Sequence, residues 1–213
     1  MIVRFQRGRI TAAGFTIIEL MIATTLFSVI LLVITFGVTS FTNDYYKGLN
    51  SSSTQNAVGT ISTAVTKAIE FGESAPVAIP GTPAAYCIGN QAFIYNLGAQ
   101  VTALGSSLGL GQVNVSGCGA VLPSSGLHEM LPANMRVVAF DITQPHPPLW
   151  ELHMKLAHGD NDLLCGGTIS CSGPTATDAQ LVTNAASLHC RSATGSRFCA
   201  VSELSTIVQR RVE

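Results

Sequence analysis

Several absences shape this chain. Between Leu20 and Asn43 there is no charged side chain, and before Glu19 there is no acidic one. At ~1.5 Å per residue, an uncharged apolar run of that length is long enough to cross a bilayer core of ~30 Å. No proline occurs before Pro76, so nothing of that kind interrupts a helix running from Phe15 to Phe71. Charged residues make up only 11% of the 213 residues and the net charge is −1, so no basic patch argues for nucleic acid as a partner. There is no Cys-x-x-Cys pair, which argues against a zinc site, and there is neither a P-loop nor a Gly-x-Gly-x-x-Gly turn for a nucleotide.

What is present begins at the N-terminus. Arg4, Arg7 and Arg9 precede the apolar run and fix its orientation, with the arginines in the cytoplasm and everything after Asp44 outside. A small-residue site, Ala12-Ala13-Gly14, stands before the apolar run. A secretory signal has that site after its apolar segment. Cutting at Gly14 would leave the apolar helix on the mature chain. Thr16 and Glu19 have the spacing of a capping box, which satisfies free amides at a helix start. An ionisable group at the edge of a membrane segment also points to a partner charge.

The stretch Gly14-Phe15-Thr16-Ile17-Ile18-Glu19-Leu20 with the apolar helix after it resembles the type IV prepilin signature. The resemblance implies cleavage between Gly14 and Phe15 by a prepilin peptidase and N-methylation of Phe15. It assigns Glu19 the pairing with the N-terminal amine of a neighbouring subunit during assembly. It implies a single-pass protein of the cytoplasmic (inner) membrane that later joins a cell-surface or periplasmic filament. The partners it implies are other pilin or pseudopilin subunits, the peptidase, an inner-membrane assembly platform, and membrane lipid before assembly. No cofactor and no enzymatic activity are implied, and the chain would be an enzyme's substrate. Six cysteines, the length and a Gly/Ser-rich insert resemble minor pilins of the W type or J-type pseudopilins of type II secretion. A strand at Leu181–Asn184 and a closing strand at Ser205–Arg211 are part of that likeness. Glu19 argues against the K-type tip pseudopilin, which lacks the acidic residue. An adhesive or DNA-uptake pilin with a ligand-binding head is the other reading.

The remaining chain reads as an α+β layout, a long N-terminal helix packed on an antiparallel sheet. Residues 1–14 form a basic leader, 15–43 the membrane or filament-core helix, 44–72 its amphipathic half, and 73–213 an extracytoplasmic β-rich domain. In the amphipathic half, Val58, Ile61, Val65 and Ile69 recur at helical spacing, with Ala64 and Ala68 beside them. Gly37, Gly48 and Gly59 are weak points, each costing about 0.8–1 kcal/mol relative to Ala, and a break near Gly48 is open. Residues 74–84 read as a surface loop, 92–97 as a strand, and 98–126 as a long loop or short irregular strands.

Met135–Ile142 is apolar on both faces, as in a central strand. Trp150–Leu156 alternates strictly, which directs Trp150, Leu152, Met154 and Leu156 inward and Glu151, His153 and Lys155 to water. Gln144–Pro148 is the stiff connection between them, and 180–183 and 205–212 read as further strands.

Cys87, Cys118, Cys165, Cys171, Cys190 and Cys199 all lie on the outer side, where disulfides are the default. Six cysteines permit fifteen pairings, among which the sequence does not choose. Proximity favours Cys165–Cys171 and Cys190–Cys199, which leaves Cys87 with Cys118. Catalytic and metal residues are expected to be none. His158-Gly-Asp160-Asn-Asp162 lacks the glycine and distal glutamate of a calcium loop and reads as a polar turn. Gly105-Ser106-Ser107-Leu108-Gly109 matches a nucleophile-elbow pattern, but its flanks are rich in Gly and Ser and no helix pattern follows.

Overall fold

The structure, a computed structural model, describes residues 14–102, 107–119, 126–191 and 196–211. The basic leader apart from Gly14, together with Gly105, Ser106 and Val212, lies outside the described residues. The chain divides into two compact units after Asn43.

One helix, α1 (Ile17–Phe71), runs through Gly37, Gly48 and Gly59 without interruption. The break left open near Gly48 is not there. A Cβ at any of these three glycines would meet nothing within 4 Å, so none is needed for close approach within the chain. In the first unit the helix is bare, with Leu26, Phe27, Ile30, Val33 and Phe36 all more than half exposed. Its hydroxyls turn back onto the helix: Ser28, Thr35, Thr39 and Thr42 each donate to the carbonyl four residues earlier, at 2.7–2.8 Å. That hides polar groups that hydrocarbon would not solvate.

In the second unit the same helix is the spine of a folded head. Thr54, Ala57, Val58, Ile61, Val65, Ala68 and Ile69 are buried, which is the stripe read from the sequence. Fully burying each of Ile61, Val65 and Ile69 is worth about 1.5–3 kcal/mol. They pack into one core with Phe93, Leu110, Phe140, Leu152, Met154 and Leu156. Within it Tyr86 stacks on Tyr95 and Phe140 meets both rings edge-on, at centroid separations of 5.1–5.9 Å.

Two antiparallel sheets face this spine. The first joins β1 (Val77–Ile79), β2 (Ala84–Ile88), β3 (Gln91–Tyr95), β4 (Leu110–Asn114) and β5 (His128–Glu129) in sequential order. So the 74–84 segment is not wholly a loop, and β2 was not anticipated. The second sheet is built from β6 (Met135–His146), β7 (Leu149–His158) and a late strand at Ala200–Gln209. A pair of short strands, β8 (Leu164–Cys165) and β9 (His189–Cys190), lies between them in sequence, so the late strand is β10. Its order is β10-β7-β6.

Three expectations need correction here. β7, not β6, is central. β6 is apolar on both faces for another reason: Met135, Val137, Phe140 and Ile142 enter the main core while Val138 enters a second one. A register shift between Val137 and Ala139 accompanies that switch. Its open edge is covered by backbone bonds from Gly98 and Val101 to Val137 and Met135, both 2.8 Å.

Lys155 does not meet water. It is 4% exposed and donates to the Ala186 carbonyl at 3.1 Å and Glu203 at 3.0 Å. The layer that covers it comes from residues 164–190, far along the chain, and encloses the second core of Val138, Ala157, Leu164, Leu181 and Leu188.

Residues 180–183 are helical, not extended: α2 (Asp178–Thr183) buries Leu181. Thr177 and Gln180 close a capping box, with Gln180 N–H donating to Thr177 Oγ1 at 3.3 Å and Thr177 N–H to Gln180 Oε1 at 2.9 Å. The likeness to W-type and J-type subunits loses that strand. β10 begins at Ala200, five residues before the expected Ser205.

Candidate functional site

The N-terminal site is local in sequence and local in space. Gly14, Phe15 and Thr16 precede the first helical turn and are exposed, Phe15 at 90%. A Cβ at Gly14 would meet nothing within 4 Å. A protease needs such an open, unwound peptide. Glu19 Oε2 accepts from Thr16 N–H at 3.0 Å and from Thr16 Oγ1 at 2.9 Å, and Glu19 N–H donates back to Thr16 Oγ1 at 3.3 Å. This is a capping box, so the carboxylate has a structural task within its own chain. The negative end also complements the helix dipole.

The cysteines pair as Cys87–Cys118, Cys165–Cys171 and Cys190–Cys199, and among the described residues none is free. His189 Nε2 lies 3.5 Å from Cys165 Sγ and 3.7 Å from Cys171 Sγ. Both sulfurs are spent in a disulfide, so this trio offers imidazole without thiolates.

The other singled-out residues have structural partners. Ser107 Oγ accepts from Thr102 N–H at 3.1 Å and donates to the Gln100 carbonyl. The strand β4 follows it, not a helix, so the elbow geometry is missing. His153 Nε2 stands 3.0 Å from Glu203 Oε1, and Asp141 is 3.9 Å from its other nitrogen. His153 and Lys155 together hold the Glu203 carboxyl below its ordinary 4.5, with the His153 hydrogen bond the largest cause.

The turn at 158–162 serves a cation, but an internal one. Arg136 is wholly buried, and its guanidinium donates to the Gly98 carbonyl at 3.3 Å, the Gly159 carbonyl at 3.0 Å, Asp178 at 3.1 Å and the Asn161 side chain. It ties β6, the 158–162 turn and α2 into one cluster. Burial lowers the Arg136 pKa, and Asp178 and Asp160 oppose that shift. No pattern along the chain signals this role, because the partners are 23 to 42 residues away.

Two surface features were also out of reach of the sequence. α1 has no basic residue in its last turn. Arg210 supplies one from the C-terminus, with Nη2 2.9 Å from the Glu73 carbonyl, and Arg211 N–H donates to Glu70 O at 3.0 Å. Along the polar face of α1 runs a groove of about 990 Å³, lined by Gln55, Gly59, Thr63 and Lys67 and by Asn90, Gln91 and Gln112 of the first sheet. It offers amides and hydroxyls, and Lys67 is the one ionisable group among its described lining residues.

One helix, α1, near the N-terminus, is long and apolar enough to cross a membrane, with a mean hydropathy of 2.6 in its best window. Comparison of the chain with protein-family models, curated proteins and solved structures gives no match.

Proposed function

We propose that the chain is a structural subunit of a type IV pilus-like filament, a minor pilin, with no catalytic role of its own. The observation that carries this is the exposed, unwound Gly14–Phe15 peptide directly before the Thr16–Glu19 capping box and a bare apolar helix. A prepilin peptidase cuts after Gly14 and methylates Phe15. The apolar half of α1 then leaves lipid and packs among the helices of neighbouring subunits. Lipid is itself apolar, so close packing and a charge pair at Glu19 supply more of the association than burial does. Glu19 thereby serves twice, as a cap within its chain and as the partner of a neighbour's amine. The disulfide-locked head is carried on the outer side.

Mass spectrometry of the mature N-terminus is the test, with Gly14→Val alongside. An N-methylated Phe15 that vanishes in the variant supports the reading. An intact Met1, or a cut after the apolar run, in cells with active prepilin peptidase would overturn it and leave an anchored disulfide-rich head.

A further inference from the structure

The disulfides of the head are not alike. Cys87–Cys118 and Cys165–Cys171 each join one buried cysteine to one exposed cysteine. Cys118 Sγ faces the Ser74 hydroxyl at 4.0 Å and the Gly89 carbonyl at 3.7 Å. Cys165–Cys171 instead has an imidazole beside it, with His189 Nε2 3.5 Å from one sulfur and 3.7 Å from the other.

The backbone makes this arrangement without help from the S–S bond. Cys165 and His189 are directly opposed in the β8–β9 pair, so their side chains share a face. Past Cys165 the chain reverses at Gly166 and Gly167, whose φ angles of 143° and 59° favour glycine. A Cβ at Gly166 would collide with the Ser187 carbonyl, so glycine lets the turn lie against that residue. Gly166 N–H donates to the Ile169 carbonyl at 3.1 Å and Ile169 N–H donates back at 3.0 Å. Arg191 clamps the flanks, donating to the Leu164 carbonyl at 3.4 Å and to the Gly173 and Pro174 carbonyls at 3.1 Å. Two thiols released here would stay beside the ring.

The other ring nitrogen sets the tautomer. His189 Nδ1 lies 2.9 Å from the Ser187 carbonyl, which can only accept, so the neutral ring carries its proton there. Nε2 is then an unprotonated base aimed at two sulfurs, neither of which holds a hydrogen in the disulfide. Thiol exchange uses such a base, because the thiolate and not the thiol attacks.

We propose that Cys165–Cys171 with His189 is a thiol–disulfide exchange site whose co-substrate is a dithiol. Nε2 takes the proton of the incoming thiol, and that sulfur attacks the exposed Cys171 Sγ. A mixed disulfide forms as the Cys165–Cys171 bond breaks. The electron pair of that bond leaves on Cys165 Sγ, which takes the proton back from Nε2. The second sulfur of the dithiol loses its proton to water and attacks the first. Cys171 then leaves with its electron pair and is protonated from solvent. The protein disulfide gains two electrons and two protons, and the dithiol is oxidised to a disulfide. Run backwards with the oxidised partner, the same path closes the bond. The site lies wholly within the head and does not depend on the pilin reading.

Among the described residues, the charged side chains bonded to the segments around the ring are Arg191 and Lys155, the latter paired with Glu203. The full chain in detergent is reduced with dithiothreitol at pH 7 and at pH 8 and quenched with N-ethylmaleimide. Peptide mass spectrometry follows each cysteine pair. Unassisted exchange slows about tenfold per pH unit in this range, since it follows the thiolate fraction. Cys87–Cys118, matched in burial, should show that slope. Cys165–Cys171 should be reduced about tenfold faster or more at pH 7, and should slow by less than about threefold from pH 8 to pH 7. His189→Gln should abolish both differences and leave Cys87–Cys118 unchanged. Faster reduction that keeps the tenfold slope would trace to access alone and overturns the proposal. A His189→Gln chain with the parent's rate and slope overturns it as well. Should that variant not fold, the slope in the parent chain decides by itself.

Discussion

Replacing Arg136 by Met removes five donors from a site that stays the same size. Two of the acceptors it serves, the Gly98 and Gly159 carbonyls, lose a buried partner at 3.3 and 3.0 Å. Each buried carbonyl left unbonded costs about 1–3 kcal/mol. Asp178 adds little to this, because its side chain is 57% exposed and water replaces the guanidinium. The sum is about 2–6 kcal/mol of head stability. Denaturant unfolding of the full chain in detergent, with disulfides intact, measures it through the midpoint at constant slope. Asp178→Asn should cost less than about 1 kcal/mol. Arg136→Lys should fall between the two, since an ammonium keeps the charge but cannot span two carbonyls and a carboxamide. If Arg136→Met unfolds within ~0.5 kcal/mol of the parent, the usual scatter of surface changes, the guanidinium is not what joins β6, the 158–162 turn and α2.

Arg210→Ala should cost about 1–2 kcal/mol in the same assay, because the carbonyl at Glu73 and the C-terminal end of α1 lose their cation. Acid should weaken the second sheet through Glu203. Its folded pKa lies below the ordinary 4.5, so its contribution is present above that value and is lost as pH falls through the lower folded value. The side chain is half exposed, which keeps the effect under about 1 kcal/mol, and Glu203→Gln should flatten that part of the stability–pH curve. Gly59→Ala should raise head stability by about 0.4–1 kcal/mol, since a methyl there meets open space and the helix gains a better former. A loss of stability would mean that the backbone at Gly59 is strained.

Features that depend on neighbours along the chain can be read from the residues alone. An uncharged run, a capping-box spacing and an apolar stripe at helical period are properties of adjacent residues, and α1 with its bare and buried halves follows from them. The alternation that marks β7 is of the same kind. Thr177-x-x-Gln180 was legible too, as the same box that starts α1, and it would have marked α2 as a helix.

Whatever depends on residues that arrive from elsewhere in the chain was settled only by folding. Lys155 alternates to the wet side of its strand, yet it is buried, because a layer from 164–190 folds over that face. β6 looks central by composition and lies at an edge, because two cores meet on its two faces. Arg136 shows no pattern in sequence, since a buried cation is defined by carbonyls and carboxylates that only folding collects. Phe198 is one phenylalanine among nine until a disulfide and Asn50 set it beside Tyr46. Periodicity reports which way a side chain points, and only the assembled layers fix what it meets there.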